Sequence, residues 1–510
     1  LSNAGYRWPS SQAGAQAKTY DGLNRDQAVA ALSAGASDMS GWLLLGLPGA
    51  LYAAGLVEAW IGIGLFLGAV LNWTIVAPRL REQTERLGNA LTIPEFMANR
   101  FPSRAVALRV VSAIVIVVFF MVYSAAGLVG GGKLFETAFP ALLPDTGLSD
   151  YMMGVWITAG VVLAYTMVGG FLAVSLTDFV QGCIMFIALI LVPVIAYFVI
   201  GGWSGMESAI TSAPSYVDAD SGAVGPARSQ FFDMWPESMT VVGLVSLLAW
   251  GLGYFGQPHI IVRFMAIRSL KDIKTARIIG MSWMLVTVIG AVFVGAVGVA
   301  YVQQHDLGAQ LTDSEAIFIL LSQIIFHPLV AGFLLAAILA AIMSTISSQL
   351  LVSSSSITED VYKTFFRREA SQSELVMIGR IATVVVSLVA IALAFDPNSN
   401  ILDLVSNAWA GFGSAFGPII LLSLFWRHLT RDGALAGMIV GAVTVLVWLY
   451  VPLLPAEGGA VPLETLVYAM IPGFLLSGLA AYLVSVIGRS VKPKVAAGFD
   501  DMSEVMNDAP

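Results

Sequence analysis

Apolar runs of roughly 20 residues, the length that crosses a ~30 Å hydrocarbon core at 1.5 Å per residue, recur along this chain, and two of them are broken in the middle. One reads Ala31-Leu-Ser-Ala-Gly-Ala-Ser-Asp-Met-Ser-Gly-Trp42, the other Ala249-Trp-Gly-Leu-Gly-Tyr-Phe-Gly-Gln-Pro-His259. Each sets Gly, Ser or Pro and a polar group inside a stretch otherwise apolar enough to span a bilayer. Unpaired backbone is tolerated at membrane depth only where it is buried in protein or lines a cavity. Two such breaks in corresponding halves point to the binding site of a secondary transporter.

The chain is 57% hydrophobic and 11% charged, whereas a soluble domain carries about 25% charged residues; the class is a polytopic all-α membrane protein. The one cysteine, Cys183, lies inside an apolar run, which rules out a disulfide framework and a thiolate metal site. Twelve spans are expected, near 31–56, 58–78, 106–132, 151–169, 176–200, 238–262, 278–303, 328–357, 376–395, 401–426, 433–454 and 465–488. The apolar stretch Ala316 to Phe326 is too short to span and is expected in an external loop or at the interface.

Basic residues supply an independent check. Arg79, Arg81, Arg86, Arg100 and Arg104 follow the second span, and Arg268, Lys271, Lys274 and Arg277 the sixth. Lys363, Arg367 and Arg368 follow the eighth, Arg427 and Arg431 the tenth, and Arg489, Lys492 and Lys494 the twelfth. The alternate connections carry Glu136, Asp145, Asp150, Glu207, Asp218, Asp220, Asp306 and Asp313, with Arg228 the clear exception. A cytoplasmic C-terminus follows, with the first span running outward. Residues 1–30 are a polar tail with no apolar run; Ser2-Asn3-Ala4 resembles the scar of affinity-tag removal.

Spans one to five and six to ten share a layout, each set opening on a broken helix. An odd number of spans per unit inverts the second unit. The expected organisation is a first repeat at 31–200, an extracellular loop at 201–237, an inverted second repeat at 238–426, two additional spans at 427–490 and a cytoplasmic tail at 491–510. Helix ends inside a membrane expose N–H groups that suit a carboxylate, or carbonyls that suit a cation.

The first broken segment resembles the first core helix of the sodium:solute symporter family. Gly169-Gly-Phe-Leu-Ala-Val-Ser-Leu-Thr-Asp178, Trp250 to His259, Leu339-Ala-Ala-Ile-Met-Ser-Thr-Ile-Ser-Ser348 and Trp409 to Pro418 match further motifs in order. The resemblance runs from about Ala31 to the last span. It implies a LeuT-like five-plus-five inverted repeat and symport of sodium with L-proline. It also implies a sodium held by the carbonyls of Ala36, Met39 and Ala341 and the hydroxyls of Ser344 and Thr345. Neutral oxygens suit a small hard cation that must also leave. The plainer use of Ser344 and Thr345 is bonding back within their own helix.

Asp38 is a carboxylate inside a span, a functional position by default; the resemblance makes it essential for ion coupling, while the residue alone also fits a cap on the second half-helix. Asp178 reads first as an N-cap opening the fifth span, and by resemblance as a candidate for a second sodium site. For the solute, the resemblance implies a pocket of Tyr165, Trp250, Tyr254 and Pro258 facing Ser40 and Gly41. Aromatic faces pack on the proline ring and attract its ammonium, and freed N–H groups near Ser40 and Gly41 suit the carboxylate. Trp42, Trp73 and Trp156 read as packing or interfacial residues, and His259 has no partner at metal-ligand spacing.

The expected partners are L-proline, sodium and the bilayer, with no organic cofactor, nucleic acid or obligate protein partner. A carrier for another solute such as pantothenate, sialic acid or a sugar stays within the class. A transporter-fold sensor would need a signalling domain, for which the tail has no room. An enzyme is the weakest reading, since no catalytic constellation appears. The resemblance also implies a further N-terminal helix and an arginine-containing lead into the first core helix, which residues 1–30 do not supply.

Overall fold

The computed structural model describes residues 35–88, 90, 92–101, 106–140, 147–217, 224–237, 239–267, 269–456, 459–488 and 499–500. The tail at 1–30, the first residues of the first span, Arg104, Asp145, Asp218, Asp220, Arg268, Arg489, Lys492, Lys494 and most of 491–510 lie outside them.

The apolar runs become helices packed side by side. After a helical turn at 35–38 comes α1 (Trp42–Ala54), then α2 (Leu56–Arg86), the short α3 (Ile93–Arg100) and α4 (Val106–Ala138). Next are α5 (Asp150–Val199), α6 (Gly202–Ser212), α7 (Val241–Phe255), α8 (Pro258–Ala266) and α9 (Leu270–Gln304). The chain continues through α10 (Ser314–Ile325), α11 (Pro328–Phe365), α12 (Gln372–Leu393), α13 (Ile401–Phe425) and α14 (Arg431–Tyr450). A two-stranded antiparallel hairpin, β1 (Pro452–Ala456) and β2 (Gly459–Pro462), leads to α15 (Met470–Ile487). Among the described residues 9 helices are long and apolar enough to cross a membrane, and 10 with the bent pair α7–α8 as one span. Polar caps start several of them: Ser149, Thr240, Ser371, Asn400 and Thr430 each accept a backbone N–H of the first helical turn.

Some expectations change. The span expected at 176–200 is present as Thr177–Val199, on a helix whose backbone runs on from Asp150. Asp178 therefore lies inside a helix and opens none. The eleventh span stops at Tyr450, since Pro452 has no N–H to continue it. The stretch from Ala316 is, as expected, a helix too short to span (Ser314–Ile325), buried along Ile317–Ser322. Arg228, the exception to the charge pattern, is buried and donates to the carbonyls of Tyr52 (2.6 Å) and Pro214 (3.1 Å), so it folds its own loop.

Both breaks are present. Residues 39 and 40 leave the helix between the first turn and α1, which opens with a π-turn at Trp42–Gly46. The second half of α7, Ala249–Phe255, winds as a 3₁₀ helix, and α8 starts at Pro258 after a 42° bend. Glycines bring this second break against α2 backbone to backbone. A Cβ on Gly68 would overlap the Gly251 carbonyl, and one on Gly251 would overlap that of Gly64. Small residues let membrane helices approach this closely. Gly68→Ala is therefore expected to cost about 1–3 kcal/mol by overpacking. The detergent-solubilised protein should lose several degrees of thermal stability, and an unchanged melting curve would count against backbone contact at this seam.

Glu315, buried at the start of α10, joins four elements. It pairs with Lys133 of α4 (2.7 Å) and accepts the N–H groups of Ile401 (2.9 Å) and Leu402 (3.1 Å), capping α13. Its backbone lies against α1, where a Cβ on Gly49 would be 2.8 Å from Glu315 Cα. Asp313 is the second carboxylate on Lys133, at 2.7 Å.

Candidate functional site

The break before α1 and the middle of α11 meet in the core. Ser344 donates its hydroxyl proton either to the Ala36 carbonyl (2.9 Å) or to that of Ala341 (3.0 Å), and Thr345 lies 3.2 Å from the same Ala341 oxygen. Bonding back within the helix is thus real, but Ser344 also reaches across to the break. Four of the five expected ion ligands, Ala36, Ala341, Ser344 and Thr345, are joined by these bonds. Met39, equally buried, stands in the same break with its N–H on the Gly35 carbonyl (2.9 Å). A knot of neutral oxygens fits a hard monovalent cation.

Asp38 links the two breaks. Its Oδ2 accepts the Tyr254 hydroxyl at 2.5 Å, while its carbonyl accepts Trp42 Nε1 (3.2 Å) and the Tyr123 hydroxyl (3.3 Å). The carboxylate does not serve as the cap of α1, which has none from a side chain; Ser40 Oγ lies 3.4 Å from the Trp42 N–H. Trp42, expected to be packing alone, also holds the break in shape. His259 lies beside the pair, its Nε2 3.9 Å from Asp38 Oδ1.

The expected solute residues divide between two places. Trp250, Tyr254 and Pro258 stand together on the second break, and Tyr254 reaches the first break through its bond to Asp38. Trp409 Nε1 donates to the Trp250 carbonyl (2.7 Å), Tyr254 meets the Trp409 ring edge-on at 5.1 Å, and Tyr468 stacks on Trp250 at 5.6 Å. Tyr165 instead donates to the Met343 carbonyl (2.7 Å), next to Ser344. A cavity of about 20 Å³ adjoins the site, lined by Asp38, Met39, Tyr254, Trp73, Met281 and Met284 among others. That is room for about one water molecule.

Asp178 is fully buried and pairs with Arg263 of α8 at 3.2 Å. The same guanidinium reaches Ser348 Oγ (3.1 Å) and the His259 carbonyl. Sequence reasoning assigned no role to Tyr123, Arg263, Trp409 or Tyr468. Trp409 lay within a recognised motif; the other three carry no local signal, because their partners are distant in the chain.

The sequence model of the sodium:solute symporter family matches residues 25–441. The osmoregulated proline transporter OpuE of Bacillus subtilis (strain 168) is 53% identical over 461 residues, covering 90% of this chain and 87% of that protein. The high-affinity proline transporter PutP of the same organism is 53% identical over 486 residues, 95% of each. A sodium/proline symporter of Staphylococcus aureus is 47% identical, covering 94% of this chain and 89% of its own. Among solved structures, a Na⁺-coupled sialic acid symporter in a substrate-bound outward-open state superposes with a TM-score of 0.69 over 91% of both chains at 19% identity. The fold is the LeuT-like inverted repeat of such symporters, and the chain belongs to the sodium:solute symporter family.

Proposed function

We propose that this protein carries L-proline into the cell together with sodium, by alternating access, in a bacterial cytoplasmic membrane with its C-terminus inside. The observation that carries the ion site is Ser344 reaching from α11 to the Ala36 carbonyl at the first break. The relatives named as proline transporters support the solute. The repeats are assigned to 31–200 and 238–426, with 427–490 added after them. The protein is a carrier and makes or breaks no covalent bond.

Sodium would sit among the carbonyls of Ala36, Met39 and Ala341 and the hydroxyls of Ser344 and Thr345. It would replace the hydroxyl-to-carbonyl bonds and so tie α11 to the first break. Proline would lie between the breaks, its carboxylate on the Gly41 side of the first break, since the Ser40 N–H already donates to the Asp38 carbonyl (3.0 Å), and its ring against Trp250, Tyr254 and Pro258. Tyr165 would act from the α11 side. Asp38 transmits between the two ligands. A second sodium at Asp178 would require Arg263 to release it. One charge moving through about 100 mV contributes about 2.3 kcal/mol, nearly two decades of accumulation at about 1.4 kcal/mol per decade.

Ser344→Ala and Thr345→Ala are each expected to raise the half-saturating sodium concentration about tenfold, the worth of one ligand at about 1.4 kcal/mol. Sodium titration of uptake reads this, and unchanged titrations in both variants would sink the site. Trp250→Ala should raise the proline KM about tenfold or more while moving the sodium dependence less; equal losses would remove Trp250 from the pocket. The primary experiment is uptake of labelled L-proline into proteoliposomes under an inward Na⁺ or K⁺ gradient. Accumulation with sodium alone is expected. Sodium-driven uptake of a different solute would keep the ion site and discard the pocket.

A further inference from the structure

Asp38 Oδ1 and both ring nitrogens of His259, in the centre of the protein, lack a hydrogen-bond partner among the described residues, as does Gln257 Oε1 in the second break. The side chains of Asp38 and His259 come from the two helix breaks and are almost wholly buried, at 4% and 0% exposure. Buried polar groups are nearly always paired, so an unfilled set between the broken helices is an opening for a ligand. The other Asp38 oxygen is taken by Tyr254. Phe120 and Tyr123 stand edge-on to the imidazole, with ring centroids at 5.6 and 6.0 Å, and fix its plane. Arg263 donates to the His259 carbonyl and also reaches Asp178 and Ser348.

The chemistry of this pair selects its ligand. Asp38 refuses an anion. A sodium ion finds a better set in the neutral oxygens around Ser344, because imidazole nitrogen is a poor partner for a hard cation. A neutral imidazole offers one acceptor nitrogen and one N–H. With the acceptor turned to Asp38, the site presents two acceptors 3.9 Å apart. One tetrahedral nitrogen carrying two N–H groups reaches both at about 2.9 Å through slightly bent bonds.

We infer that His259 and Asp38 together form the ammonium subsite of this carrier, each accepting one N–H of the solute's secondary ammonium. The inference rests on the amino-acid symport proposed above and gives it a specificity residue and a route for coupling. Asp38 lies between Ala36 and Met39, so an ammonium held on its side chain orders the same backbone that offers sodium two carbonyls.

The test is sodium-driven uptake in proteoliposomes, with competition by unlabelled L-proline, N-methyl-L-proline and tetrahydrofuran-2-carboxylate. The methyl analogue keeps one N–H and the furan acid has none. The wild-type protein should bind the methyl analogue about tenfold or more weakly than proline, and the furan acid weaker still. His259→Leu should raise the proline KM about 10- to 100-fold, leave the half-saturating sodium concentration within about threefold, and bring proline and N-methylproline to near equality. His259→Gln, which restores an acceptor, should recover most of the affinity and the discrimination. Equal wild-type affinity for proline and its methyl analogue overturns the inference. So does a His259→Leu protein with unaltered preference, or a folded His259→Gln as poor as the leucine variant. If leucine prevents folding, the wild-type analogue series and the glutamine variant decide. No proline uptake by the wild type would fail the function reading alone, and the series is then run on the solute that is carried. A carried solute without an ammonium overturns both.

Discussion

Replacing Asp38 with Asn is expected to cut sodium-driven proline uptake about 100-fold or more. Asparagine keeps the shape of the side chain, and its carbonyl oxygen still accepts the Tyr254 hydroxyl that Asp38 holds at 2.5 Å. What disappears is the charge. Hydrogen bonds to charged groups contribute about 1.5–3 kcal/mol each, and a buried carboxylate that also holds a solute cation loses two at once. Tyr254→Phe separates the tether from the charge: it removes the same bond but leaves the carboxylate, and should cost about tenfold or less. Uptake rates normalised to reconstituted protein read both. Equal losses in the two variants would reduce Asp38 to a brace between the breaks.

Glu315→Ala should be the most damaging change away from the ligands. It uncaps α13 at Ile401 and Leu402 and takes one of two carboxylates from Lys133. Breaking a buried ion pair costs about 3–5 kcal/mol, and Asp313, which remains on Lys133, keeps the loss at the lower end, about 100-fold in an equilibrium. Thermal unfolding in detergent and uptake should both suffer. The pair Lys133→Met with Glu315→Gln should be milder than the sum of its parts, because neither charge is then left buried alone. A Glu315→Ala protein within about 0.5 kcal/mol of the wild type would make the cluster incidental.

Nine or ten of the twelve expected spans stand among the described residues, legible because a long apolar run is a local property of the chain. The two breaks were legible too, where Gly251, Gly253, Gly256 and Pro258 stand beside polar groups. The contact of Ser344 with Ala36 crosses 308 positions and was reachable only because both lie in motifs with a family likeness. Lys133 and Glu315, 182 positions apart, had no such help: each looks like an ordinary surface charge until the helices pack. His259 was set aside for want of a partner in sequence, and its neighbour proved to be the carboxylate of the other break.

The seam between α2 and the second break has a mechanical meaning. Sliding between helices is accommodated by side chains that change rotamer or shift by fractions of an ångström. Where Gly64 and Gly68 meet Gly251 there is no such layer to deform. α2 and the 3₁₀ half of α7 must therefore turn as one lever, without slip. Relative motion is left to joints where side chains intervene, such as Trp250 on Tyr468 and Ser344 against Ala36. The second of these is also where the proposed sodium binds, so the ion would act as a pin in the hinge the lever swings on.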